Sequence, residues 1–484
     1  MKPRLEFLDD ALIERILAEA HELLMEPGVA VQAPEAVELL AAAGARVEGE
    51  TVRIPETLVR RALAAAPHAF CLYDRQHNPA VRYGGEAVQF DPGSSCTNVL
   101  DPETLTHRPA LAAYLVRLVK VTEMLPQYAA QSTALVCSDA PPEMGDFYRL
   151  FLVLLYSNKP IVTGAFATAT TQVMIELLAA DSGGHDALRA RPRAIFDVCP
   201  SAPLRWTEFA GRQLVDLARM GIPVQLISMP LAGVTAPVTL LGALVQHTAE
   251  NLSGLVIHQL SRPGASVVWG GAATIFDMRT GVTRMGAIET AMLAAGFAQI
   301  GRRLGLPTHA YLAASDAKIV DAQAGLESGI SAVLGALAGV NMISGAGMLD
   351  FLACFSAEKL VVDAEAIAMA QRLLQGLQPR TATLATESFA QAGPTGDFLA
   401  LPETRQWFRQ EQLIPSAVID RGTLRAWQEA GSPDAFARAQ ARVADLLARY
   451  RRPELAPDVE RQFLAIVERE ARRAELARLP GINA

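Results

Sequence analysis

The stretch that most constrains the fold runs from His309 to Phe355: HAYLAASDAKIVDAQAGLESGISAVLGALAGVNMISGAGMLDFLACF. HAYLAA is a short apolar run with an aromatic residue, the size of a buried strand. SDAKIVD then places Asp316, Lys318 and Asp321 in one loop. From Asp321 to Leu337 the residues are small and apolar without proline, which predicts a helix. Ala338 and Gly339 end it, VNMIS is the next strand, and GAG is the turn after that. Such a βαβ unit implies a parallel sheet with a right-handed crossover. Chemistry in these units gathers in the loops that follow the strands.

No charged residue occurs between Ser328 and Leu349, a length that also suits a membrane span. Five glycines, several serines and Asn341 interrupt the run. Two shorter elements explain it better, because both faces of a parallel strand are buried and carry no polar stripe.

The same rhythm recurs. Apolar runs at 129–137, 160–166, 193–199, 223–229, 266–270, 309–314 and 340–344 are strand candidates. Helix-like segments separate most of them, clearest at 146–156, 238–261, 286–304 and 322–337. An eighth strand, at Val88 to Phe90 or beyond residue 376, closes a TIM barrel; fewer strands leave an open doubly wound sheet. The expected fold is an α/β TIM (β/α)8 barrel over 126–376. An α+β cap at 1–125 precedes it, and a helical extension at 377–484 follows. The cap holds helical patterns from Asp9, Pro34 and Pro55 and a hairpin at RVEGETVRIP. The extension ends in two charged amphipathic helices, at 433–450 and 457–478, suited to packing or to a homo-oligomer contact.

The 484 residues are half hydrophobic, enough for a large core, and the net charge of −8 argues against nucleic acid as a partner. Five cysteines without a CxxC pair suit a reducing compartment. The N-terminus MKPRLEFLDD lacks the apolar core of a signal peptide, so the expectation is a cytoplasmic protein with no membrane partner.

The strand ends are small, apolar or aromatic. No HExxH or facial-triad spacing occurs, so no metal site is expected. No GxGxxG follows a strand and no Walker loop exists. A mouth lined by glycine and aromatics suits a flat or cationic organic ligand. Trp269, Phe166, Phe90, Phe276 and Phe355 are candidates to enclose an ammonium group, each contact giving roughly 0.5–2 kcal/mol when desolvated; the alternative for each is an ordinary core residue. Trp269 stands out because two glycines follow it.

Four segments carry a resemblance: GVAVQAPEAVELLAAAGARVEGETVRIPETLVRRALAAAP, FDPGSSCTNVLDPETLTHRPA, SDAKIVDAQAGLESGISAVLGALAGVNMISGAGML, and the stretch around Gly393 to Leu399. They resemble the trimethylamine methyltransferase family from about residue 5 to 450. The resemblance implies a TIM barrel that moves a methyl group from an amine to the cobalt of a separate corrinoid protein. The cobamide then arrives with that partner. Family members acting on trimethylamine carry pyrrolysine, whereas every residue here is standard. The resemblance therefore points to the branch acting on quaternary amines such as glycine betaine. PETRQWF at 402–408 departs from the family pattern, with Glu403 where a histidine is expected.

On this reading Asp316, Lys318, Asp321 and Gln323 are the candidate catalytic residues, shaping the floor or rim of the substrate site. The alternative is a salt-bridged loop that only holds the barrel. Gly270, Gly271, Ser344, Gly345 and Gly347 make room for the corrin ring, or form ordinary tight turns. Arg205, Arg279, Arg284 or backbone N–H groups are the candidates to receive a substrate carboxylate, each arginine being otherwise a surface residue. Two other functions compete: a Schiff-base lyase or aldolase using Lys318, and a non-catalytic docking partner of a corrinoid protein.

Overall fold

The computed structural model describes residues 3–476 and 478–482. Eight parallel strands form its centre: β1 (Gln89–Pro92), β2 (Gln131–Ser132), β3 (Ile161–Thr163), β4 (Ala194–Val198), β5 (Val224–Ser228), β6 (Val267–Gly271), β7 (Thr308–Tyr311) and β8 (Met342–Ala346). From β2 to β8 each strand pairs with its sequence neighbours, and β8 returns to β1, with Ile343 opposite Phe90. A backbone bond from Ala129 to the Phe90 carbonyl (2.9 Å) and a bridge between Cys96 and Leu135 join the first and second strands. The sheet therefore curls into a barrel.

A helix follows every strand: α1 (Ala112–Glu123), α2 (Gly145–Tyr156), α3 (Thr168–Ser182), α4 (Glu208–Met220), α5 (Leu240–Ser261), α6 (Ile288–Arg303), α7 (Ala322–Ala338) and α8 (Ala357–Gln375). Thr207, Thr239, Asp321 and Ser356 cap α4, α5, α7 and α8 through their side-chain oxygens. Gly339, at φ 73°, ends α7 in the left-handed conformation that glycine adopts without penalty. No helix among the described residues is long and apolar enough to cross a membrane.

All seven runs expected as strands lie in the barrel. The eighth strand is β1, overlapping Val88 to Phe90, so the expected boundary at residue 125 falls inside the barrel. The reason is visible locally: β1 is four residues long and carries Asp91, turned inward, so its sequence lacks the apolar run of its neighbours. Ahead of it, Phe70–Tyr73 and Pro79–Tyr83 form a hairpin. Its Leu72, Val81 and Tyr83 pack with Ala130, Val162, Ile195, Val268 and Met342 at the N-terminal end of the barrel. Apolar side chains thus plug that end, and the opposite end is left for chemistry.

The N-terminal layer attaches through Val29–Val31, which pairs in parallel with Arg205–Trp206 after β4. At the C-terminus, Ala435–Arg449 packs against α1 and α8, and Pro457–Arg473 packs against α2 and α3. The second of these covers α2, GDFYRLFLVLLY, which is buried along its length after the glycine. A helix buried on every face requires such enclosure. The segment between α8 and these two helices is mostly exposed; its helices Thr386–Ala392, Pro402–Glu411 and Leu424–Glu429 contain no buried residue.

Candidate active site

A cavity of about 460 Å³ opens at the C-terminal end of the barrel. Seven strand ends contribute to its wall: Ser94 and Ser95 after β1, Gly164 to Phe166 after β3, Asp197 and Cys199 at β4, Ile227 and Met229 at β5, Ala272 after β6, Tyr311 at β7, and Leu352 after β8. Thr207, Phe209, Ala210 and Gln213 add the start of α4, and Arg149 reaches in from α2. A groove of about 760 Å³ on the cap side shares Thr207 and Phe209 with it. This is where a (β/α)8 barrel assembles its functional groups.

Asp197 supplies the negative charge. Gln225 donates to its Oδ1 (2.7 Å) and the Tyr311 hydroxyl to its Oδ2 (3.1 Å). Burial raises its pKa to about 6, opposed by those two hydrogen bonds and by the charge of Arg149. It is therefore mostly ionised at neutral pH and close enough to titration to sense its occupant. Burial, then the charge of Asp197, holds Tyr311 well above the usual phenol range, so its O–H remains a donor. Tyr83 donates to Gln225 from below (2.8 Å), tying this network to the hairpin that plugs the barrel.

A second, more deeply buried group lies beside it. Ser344 donates to Asp91 (2.5 Å) and meets His309 Nε2 (2.9 Å). Desolvation pushes Asp91 well above the carboxylate range and lowers His309 to about 3. Both are thereby biased to their neutral forms, which a buried polar network needs.

Of the residues nominated from sequence, only Phe166 lines the cavity; it is 58% exposed and lies over Arg149. Trp269 does not. Its ring faces the helices, with Gly301 packed against it and its indole N–H donated to the Phe297 carbonyl (2.9 Å). Phe90 and Phe355 are core residues. Phe276 stands on a hairpin, Thr274–Asp277 with Val282–Arg284, outside the cavity lining. On the same hairpin, Asp277 ties down both Arg279 and Arg284, and Arg205 is an exposed strand residue of the cap sheet.

The charged loop after β7 is self-satisfied. Asp316 accepts from Gly286 N (3.0 Å), and burial raises its pKa to about 6. Lys318 pairs with Asp350 (2.8 Å) and sits 3.7 Å over the Phe351 ring. Asp321 caps α7, and Gln323 donates to Glu327 (2.9 Å). None of the four lines the cavity. The glycines also face protein. A Cβ on Gly270 would meet His309 and the Leu226 carbonyl, one on Gly271 would meet His247, one on Gly345 the Leu312 carbonyl, and one on Gly347 the Phe355 ring. They allow the barrel wall to pack closely.

Asp197, Tyr311 and Arg149 were missed in the sequence, though each leaves a trace there. Asp197 breaks the apolar run AIFDV, and Arg149 is the lone base in an apolar helix. Among the described residues, no group of three or more His, Cys, Asp or Glu is placed to hold a metal ion.

Fold and site together define a barrel enzyme with a small, mostly apolar chamber that one carboxylate and one guanidinium line. The trimethylamine methyltransferase family model matches residues 1–477. The chain belongs to that family and is a methyltransferase. It is 34% identical over 462 residues to the trimethylamine methyltransferase MttB2 of Methanosarcina mazei, covering 93% of this chain and 92% of the relative. It is 27% identical over 468 residues to the glycine betaine methyltransferase of Desulfitobacterium hafniense, covering 96% and 97%. The solved monomethylamine methyltransferase of Methanosarcina barkeri shares the fold at a TM-score of 0.52 and 12% identity, covering 92% of this chain and 89% of that one.

Proposed function

We propose that the protein moves a methyl group from a quaternary ammonium compound, of the glycine betaine kind, to the Co(I) of a corrinoid protein. The observation that carries this reading is the cavity itself. Asp197 faces a chamber whose other walls include Phe166, Phe209, Met229 and Tyr311. Aromatic faces favour a cation that carries methyl groups, and the carboxylate answers its charge. The absence of pyrrolysine from the sequence and the likeness to a glycine betaine methyltransferase support the same class.

The chemistry asks little of the protein. A quaternary nitrogen already bears its positive charge. When the C–N bond breaks, the electron pair stays on nitrogen and a neutral tertiary amine leaves without needing a proton. The corrin Co(I) of the partner supplies the electron pair for the new bond to carbon. The task of this chain is to hold one methyl in line and keep water out. Asp197, fixed by two donors, anchors the ammonium without having to reorient. Ile227, Ala272 and Leu352 close the apolar side. At the mouth, Phe166 and Met229 are exposed, as are Val234, Val238 and Met278 on the loops after β5 and β6. This apolar rim fits the flat face of a macrocycle delivered by a partner.

The test supplies Co(I) cobalamin and a panel of methylated amines and follows methylcobalamin by its visible spectrum. Quaternary amines are expected to react and tertiary amines to remain inert. Inertness of every quaternary amine overturns the reading.

A further inference from the structure

Asp197 and Arg149 are the two charged residues of the cavity lining, and they bear opposite charges. Arg149 sits in the middle of α2 and is 2% exposed. Its guanidinium is held over the strand ends: Nη1 donates to the Thr133 carbonyl after β2 (3.1 Å) and Nη2 to the Gly164 carbonyl after β3 (2.6 Å). The Phe166 ring lies 4.6 Å away, over the guanidinium carbon. A guanidinium has five N–H groups in a planar fork. Two bonds to neutral carbonyls leave most of that fork unspent, and Nε has no acceptor at all.

Protein charges do not complete it. Asp146, one turn earlier, is the nearest source of compensation, but its Oδ2 accepts from Phe166 N (2.7 Å) and the Thr170 hydroxyl (2.5 Å). Its Oδ1 has no partner. Arg149 and Asp197 feel each other's charge through space without a hydrogen bond between them. A buried cation with unspent donors and a buried carboxylate thus face one chamber. A molecule that answers both is a zwitterion.

We propose that Arg149 is the residue that reads the substrate's carboxylate. It selects an ammonium compound carrying its own acid group over one carrying a hydroxyl or nothing. This inference rests on the methyl-transfer reading above and adds the specificity-determining residue. The geometry is that of a carboxylate receptor: a fork pre-set by two backbone carbonyls, with an aromatic lid over its face. The ammonium then lies toward Asp197 and Tyr311, with its methyl groups toward the apolar wall. The exposed arginines do not compete, because Asp277 already holds Arg279 and Arg284.

The experiment compares glycine betaine with choline, which shares the trimethylammonium head and has a hydroxyl in place of the acid. Both kcat/KM with Co(I) cobalamin and affinity by calorimetry are measured. The wild-type protein is expected to favour glycine betaine at least tenfold in both. Arg149→Gln is expected to lower kcat/KM for glycine betaine at least thirtyfold, through KM, while choline changes less than threefold. Arg149→Lys, which keeps the charge and loses the fork, is expected to fall between. Equal affinity of the wild type for the two ligands overturns the proposal, as does an equal loss on both in Arg149→Gln. If that variant does not fold, the wild-type preference decides. Should no quaternary amine yield methylcobalamin, the functional reading fails, and calorimetry still tests the carboxylate receptor.

Discussion

Two sides of the barrel mouth carry charge in opposite ways. The loop after β7 holds Asp316, Lys318 and Asp321, with Glu327, Asp350 and Arg284 nearby, and its polar groups find protein partners. Across the mouth, Arg149 and Asp197 stand in apolar elements, hydrogen-bonded to no opposite charge, and face an open chamber. Charges that are neighbours in sequence tend to neutralise one another, and the pairing builds a rim. A charge placed in an apolar element finds few partners within its own segment. Its burial is sustained by fixed dipoles, and a ligand can complete it.

The largest effects are expected where a buried charge is paired. Lys359 and Asp363 on α8 are both buried; the ammonium donates to Asp363 and to Ser328 (2.6 and 2.7 Å), and Gly347 N donates to the same carboxylate (2.7 Å). Lys359→Met leaves that carboxylate unpaired and is expected to cost about 3–5 kcal/mol, read as a lower midpoint in denaturant. Trp269→Ala is expected to cost about 3–5 kcal/mol of stability by opening a void beneath α6. In the folded fraction, affinity for a quaternary amine should stay at the wild-type value. A selective rise in KM would return Trp269 to the site. Asp197→Asn keeps the shape and removes the charge. It is expected to weaken quaternary-amine binding by about 2–5 kcal/mol, with little change in melting temperature. Wild-type KM in that variant would remove Asp197 as the anchor.

Protonation makes the same point reversibly. Asp197 titrates near pH 6, and the proton-bound form does not attract a cation. Affinity for a quaternary amine is therefore expected to be constant above about pH 7 and to fall by up to about tenfold per unit once pH drops below 6. Asp316 titrates in the same range, so the comparison with Asp197→Asn is needed. A flat profile in that variant assigns the transition to Asp197, and an unchanged profile moves it to the rim.

The barrel was legible because parallel strands are buried on both faces and announce themselves as apolar runs. β1 was nearly hidden: QFDP carries an inward aspartate, and only three residues around it matched the pattern. The site was less legible, for a different reason. Trp269, with two glycines after it, looked like a cage wall. In a strand the side chains alternate, however, and that position faces the helices. Alternation also puts Asp91, Asp197 and Tyr311 on the inner face, but which residue of a short apolar run points inward depends on register. Register is set by pairing between strands far apart in the chain. Arg149 could not be placed without knowing that the middle of α2 passes over the ends of β2 and β3.

The smallest expected effect belongs to the most conspicuous motif. Lys318 is half exposed, and its pair with Asp350 is of the surface kind, worth about 0–1 kcal/mol. Lys318→Met keeps an apolar chain against Phe351 and loses the charge with its bonds to Asp350 and to the Asp316 carbonyl. It is expected to leave stability within about 1 kcal/mol and methyl transfer within about twofold of wild type, because nothing in the chamber touches it. Borohydride in the presence of a carbonyl compound should likewise leave this lysine unmodified. Loss of turnover in the methionine variant, or a trapped adduct at Lys318, would show that the rim takes part in chemistry after all. The division between a self-paired loop and a ligand-facing pair of charges would then no longer hold.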